Sequence, residues 1–179
     1  MNYFGERRPT RGAPQIVVLG IGNVLLTDEG AGVHAARQIG QLLQGRPEVT
    51  VIDAGTLSFT LAPEIERADR LIVFDAAQLH APPGTVRSFI NEDMDAFLGG
   101  NKRSVHEVGL VDLLHIAYLT ERVPPQRALF GVQPHLLGWG DELTPEVAIG
   151  VNRAVAMAID LLESWQKAGI EACCAAEPV

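Results

Sequence analysis

The run Ile16-Val17-Val18-Leu19 is apolar at every position and rich in β-branched side chains. A strand exposed on one face alternates apolar with polar residues, so an unbroken run of this length belongs to a strand covered on both faces. Covering both faces requires layers on either side, and the sequence that follows supplies them. After a glycine-containing loop, Gly20 to Leu26, the residues Val33, Ala36, Gly40 and Leu43 fall on one helical stripe, ended by Gly45 and Pro47. Thr27 and Asp28 stand where a helix cap is expected. The unit then recurs as a strand from Val49 to Asp53, a helix from about Ser58 to Ala68 and a strand from Arg70 to Asp75. A βαβαβ series with right-handed crossovers places its strands in one parallel sheet, the first between the second and third.

The remainder extends that sheet. Pro82-Pro83-Gly84 turns the chain into a strand, Thr85 to Ile90, which has no helix before it and is therefore expected to run antiparallel at an edge. A polar loop around Gly99 to Arg103 leads to a helix near Ser104 with Leu110, Leu113, Leu114 and Ala117 inward, then a last strand from Ala128 to Val132. A final helix from about Pro145 carries Val147, Val151, Ala154, Ala158, Leu161 and Trp165 at helical spacing, a core stripe. The expected class is α/β: three layers, a mixed but mostly parallel twisted sheet of about five strands, and helices on both faces. Residues 15–166 form one domain in this reading, with 1–14 a loose extension and 167–179 a tail.

With 179 residues there is enough chain for one full core without staples. The formal net charge of -8, with no basic cluster to offset it, disfavours nucleic acid and acidic membranes as partners. The longest apolar run, Ile16 to Leu26, is interrupted and too short for a bilayer, and no export signal follows Arg7 and Arg8. Both cysteines, Cys173 and Cys174, are adjacent near the end of the chain, so no disulfide framework is expected and the reading is a cytoplasmic protein.

Chemistry concentrates at strand ends. Asp28 and Glu29 follow the first strand, Asp53 closes the second and Asp75 closes the third. Neighbouring strands lie about 4.8 Å apart, so these carboxylates share one crevice, and a cation would relieve their repulsion. Asp28 reads as a cap. Glu29 is followed by Gly30 and Gly32, each about 1 kcal/mol unfavourable in a helix relative to alanine, which signals a close approach. Asp53 either serves as acceptor for its own turn, Ala54-Gly55-Thr56, or reaches a substrate. His106 stands near a helix start, where the dipole keeps an imidazole neutral and fit to ligate. Glu29, Asp75 and His106 together would hold a borderline divalent ion, nickel or zinc, with coordination positions left open. Other designs lack parts: Gly20-Ile21-Gly22 has leucine, Leu25, where a dinucleotide fingerprint needs its third glycine, and neither G-x-S-x-G nor H-E-x-x-H occurs.

The ordered set Gly20-Ile21-Gly22-Asn23, Asp28-Glu29-Gly30-Ala31-Gly32, Asp53-Ala54-Gly55-Thr56, Asp75-Ala76, Pro83-Gly84-Thr85, Ser104-Val105-His106 and Gly131-Val132-Gln133-Pro134 resembles the maturation endopeptidases of nickel-iron hydrogenases. The resemblance implies an aspartyl-type protease that removes a C-terminal extension from the precursor of the hydrogenase large subunit once nickel has been inserted. It implies that Glu29, Asp75 and His106 bind metal, with nickel supplied by the substrate and zinc or cadmium able to stand in. It further implies that Asp53, Gly55 and Thr56 contact the substrate, with Asp53, Glu29 and Asp75 as catalytic candidates, in a protein expected to act as a monomer. Ala54 departs from the family's usual glycine, cysteine or serine. Two other readings remain at this stage: a non-enzymatic nickel chaperone using the same ligands, and a nucleotide-binding module built on Gly20 to Asn23.

Overall fold

The computed structural model describes residues 14–56, 59–100 and 105–175, with the side chains of 105–108 and 169–175 outside that description. Five strands form one sheet: β1 (Ile16–Ile21), β2 (Val49–Gly55), β3 (Arg70–Ala76), β4 (Val86–Ile90) and β5 (Gln126–Val132), in the order β2-β1-β3-β5-β4. β1 pairs in parallel with β2 and β3, and β3 with β5; β4 pairs antiparallel with β5 at the edge. This is the mixed sheet expected, with β1 central to the first three strands.

Helices α1 (Ala31–Leu42) and α5 (Pro145–Ala175) cover one face; α2 (Ala62–Arg67), α3 (Glu92–Gly99) and α4 (Val105–Leu119) cover the other. Alternate residues of the central strands divide between the two layers. Ile16, Val18, Ile72, Phe74, Ala128 and Phe130 pack with α1 and α5, whereas Val17, Leu19, Ile21, Leu71, Val73 and Leu129 pack with α2, α3 and α4. All of these are buried, each large side chain contributing about 1.5–3 kcal/mol relative to exposure. The inward residues expected of α4, Leu110, Leu113, Leu114 and Ala117, are all buried.

Three departures from the sequence expectations stand out. Helix α3 was not expected: in Glu92-Asp93-Met94-Asp95-Ala96-Phe97-Leu98 only two residues, Met94 and Leu98, are buried, a stripe too short to register as a period. Its Asp95 binds the buried Arg127 guanidinium through Oδ1 to Nε at 3.0 Å and a second, close Oδ2–Nη2 contact, which ties α3 to β5. The final helix continues past Trp165 to Ala175, because Gln166 to Ala175 has good helix formers and no proline. Lastly, a 3₁₀ turn, Thr27–Gly30, precedes α1, and no side chain caps either element.

Gly32 makes the junction of α1 with the sheet possible. A Cβ there would lie 2.2 Å from the Phe74 carbonyl oxygen and 2.3 Å from that of Ile21, both backbone atoms that cannot step aside. Gly32→Ala is therefore expected to lower stability by about 3 kcal/mol, by analogy with overpacked cores, as read from a urea unfolding curve.

Candidate functional site

The carboxyl ends of β1, β2 and β3 make one edge, and register fixes what meets there. Gly20 of β1 pairs with Asp53 on one side and Phe74 on the other, so Asp53 and Asp75 flank the end of the central strand. Chain direction brings a third element to the same edge: α4 descends from its first turn to Leu119 before the chain enters β5 at Gln126, which leaves the turn bearing His106 at the strands' carboxyl end. The His106 side chain lies outside the described residues.

Glu29 reaches this edge because glycines let its turn close on the sheet. Gly22, at φ +134°, has no room for a side chain: its Cβ would stand 1.8 Å from the Glu29 carbonyl oxygen. Two turns of chain are thus pressed together, one from the end of β1 and one from the start of α1, while Gly32 holds α1 against the residue preceding Asp75. Glu29 Oε2 and Asp75 Oδ1 are both buried, and Asp75 as a whole is only 2% exposed. Oxygen donors held out of bulk water suit a divalent cation. Among the described residues no group of three His, Cys, Asp or Glu side chains stands as a metal site.

Asp53 performs the turn role weighed from the sequence and more. Its Oδ1 accepts the Gly55 N–H at 3.2 Å, and its Oδ2 accepts from Arg37 Nη2 at 2.9 Å. Gly55, at φ +50°, returns its carbonyl oxygen to the Gly22 N–H at 2.8 Å, so the Asp53–Thr56 loop is fastened to the end of β1. Arg37 was not singled out in the sequence. It lies on α1, sixteen residues from its partner, and only the packing of α1 beside β2 reveals the pair. Both side chains are about half exposed, so the pair orients the carboxylate more than it stabilises the fold.

The cap role expected for Asp28 is overturned. Asp28 is completely buried and accepts four donors from a distant loop: the His135 N–H at 2.9 Å, the Leu136 N–H at 2.8 Å, the Thr144 N–H at 2.7 Å and the Thr144 hydroxyl at 2.9 Å. Burial disfavours the charge, but these hydrogen bonds outweigh it and hold the Asp28 carboxyl below the ordinary aspartate value. Thr27 adds to the clamp, donating its hydroxyl to the Leu136 carbonyl at 2.5 Å and accepting the Gly138 N–H at 3.2 Å. The 133–144 loop is thereby locked to the turn that carries Glu29.

A family model described as hydrogenase maturation protease matches residues 33–161. The chain belongs to the hydrogenase maturation protease family. It is 39% identical over 151 residues to the hydrogenase expression/formation protein HoxM of Cupriavidus necator, covering 84% of this chain and 75% of that one. It is 34% identical over 159 residues to the hydrogenase 2 maturation protease of Escherichia coli, covering 88% and 94%. Among solved structures, the hydrogenase maturating endopeptidase HybD of E. coli superposes with a TM-score of 0.77 at 32% identity, covering 84% of this chain and 93% of that one. The protein is thus a hydrogenase maturation endopeptidase with the family's α/β fold. No helix among the described residues is long and apolar enough to cross a membrane.

Proposed function

We propose that this maturation protease removes the C-terminal extension of a nickel-iron hydrogenase large-subunit precursor after nickel has been inserted, and that the ion in the precursor is what it recognises. The placement of Glu29 and Asp75 at the carboxyl edge of the sheet, each with a buried oxygen, supports this reading. Two carboxylates with the His106 imidazole form a mixed oxygen and nitrogen set, which suits nickel and leaves positions for the precursor's own ligands. Zinc or cadmium fits the same donors. Nickel is here part of the substrate, and the enzyme's three side chains complete its coordination only when a loaded precursor is in place.

Asp53, Gly55 and Thr56 form the neighbouring wall. Asp53 is oriented from both sides, by the Gly55 N–H and by Arg37, and it is the carboxylate left at the solvent side of the crevice. In this proposal it aligns the peptide beside the ion. Hydrolysis requires a water to add to the peptide carbonyl, a carboxylate of the site to accept the water's proton, and that proton to pass to the departing amine. Docking through the ion sets the scissile bond against these groups, so positioning supplies much of the rate. The expected partner is the precursor alone, met in the cytoplasm by a monomeric enzyme.

Incubating purified precursor, nickel-loaded or nickel-free, with the enzyme tests this directly. Mass spectrometry should find a shortened large subunit only in the loaded sample. Equal cleavage of both would defeat recognition through nickel, and an unchanged mass in both would favour a chaperone role for the same residues.

A further inference from the structure

Most large apolar side chains of this protein are inside it, yet four exposed ones gather beside the site. Trp139 is 86% exposed, Leu137 65%, Leu25 56% and Leu136 53%. Leu136, Leu137 and Trp139 belong to the loop that Asp28 and Thr27 clamp; Leu25 belongs to the segment against which that loop is hydrogen-bonded. The Thr27 N–H donates to the Gly140 carbonyl at 2.8 Å and the Gly140 N–H to the Leu25 carbonyl at 3.0 Å, joining the two segments as a short parallel bridge. These four side chains expose on the order of 500 Å² together, an apolar patch of the size that marks interaction surfaces.

We propose that this patch is a docking surface for an apolar segment of the precursor itself. The inference rests on the function proposed above. Continuity is the first argument: Leu25 lies four residues before Glu29, and the same turn, Thr27–Gly30, carries both the clamp and the metal-facing acid, so a protein seated at the site extends over the patch. The second argument is rigidity. A loop held to one turn by eight hydrogen bonds, the Thr144 hydroxyl counted once, keeps its apolar side chains in place before any partner arrives, which lowers the ordering cost of binding. Charge is the third: Asp141, Glu142 and Glu146 are exposed at the rim, so the segment that fits is apolar with basic residues at its edge. Size argues against a second copy of this chain, because a stable dimer buries about 800 Å² on each partner and this patch falls short.

Two measurements test the surface separately from the chemistry. With nickel-loaded precursor, the double variant Trp139→Ser, Leu137→Ser should lower kcat/KM at least tenfold, while Leu119→Ser, as exposed but at the far end of α4, should leave it unchanged. With nickel-free precursor, which is expected to remain uncut, fluorine NMR of 5-fluorotryptophan-labelled enzyme should show the Trp139 signal moving and that of the buried Trp165 staying in place. If wild-type enzyme cuts loaded precursor but the double variant keeps kcat/KM within twofold, or the Trp139 signal is unmoved, the docking surface is overturned. Wild-type enzyme sedimenting as a dimer that the double variant abolishes would assign the patch to self-association and overturn it equally. If wild-type enzyme fails to cut any precursor, it is the proposed function that falls, and the NMR result still decides the surface.

Discussion

Replacing Asp75 by asparagine is expected to lower processing of nickel-loaded precursor on the order of 10³-fold, the scale on which losing one fixed electrostatic contact at a reacting centre is felt. The substitution keeps the side-chain volume and removes the charge. Asp75 is buried at the end of β3, the strand between β1 and β5 that fills both layers, so a volume-conserving change should leave packing intact. The melting temperature should move by no more than about 4 °C, the equivalent of about 1 kcal/mol in a domain of this size. Single-turnover processing and a thermal melt on the same preparation check both halves. A variant that processes at more than a third of the wild-type rate would remove Asp75 from the machinery.

Asp28→Ala is the opposite case, a large effect on stability with an indirect one on chemistry. It deprives the N–H groups of His135, Leu136 and Thr144 of their acceptor. An orphaned buried donor costs about 1–3 kcal/mol, and water can reach part of this loop, so a net loss of about 3 kcal/mol is expected, or about 6–12 °C. The pH dependence identifies the cause. Because the folded-state pKa of Asp28 lies below its unfolded value, its contribution is fully present above about pH 4 and fades as pH falls through the lower folded value. The gap in melting temperature between wild type and variant should therefore be constant from pH 7 to pH 5 and shrink in stronger acid. A gap that instead widened in acid would show that the carboxylate is not the group holding the loop.

These two aspartates also mark how far the sequence could be read. Asp75 was legible because its position is topological: an acid at the end of an apolar strand, in a series that alternates strand and helix, must lie at the carboxyl edge of the sheet. The same logic placed Glu29 and Asp53 at that end; His106 was read only as standing near a helix start, and the course of α4 into β5 brings its turn there. Asp28 was misread because its local setting, an acid just ahead of a helix, is the setting of a cap. Its true partners are 107, 108 and 116 residues away, and no local pattern encodes them. Arg37 escaped for a similar reason, since its pairing with Asp53 depends on the side of β1 to which α1 crosses.

The residue pattern alone determined the layered α/β fold, the antiparallel edge strand, most of the buried faces and the sheet edge at which Asp53 and Asp75 stand. It could do so because hydrophobic period and chain connectivity are local or handed properties, and right-handed crossovers leave few sheets to choose from. Only the tertiary structure decided which polar groups satisfy one another: Asp28 with the 135–144 loop, Arg37 with Asp53, Arg127 with Asp95. It alone also showed that Trp139 and its neighbours stand exposed beside the site. Hydrogen bonds and ion pairs act over about 3 Å and depend on atoms brought together from distant parts of the chain, so they exist only once the packing of the layers has set those atoms in place.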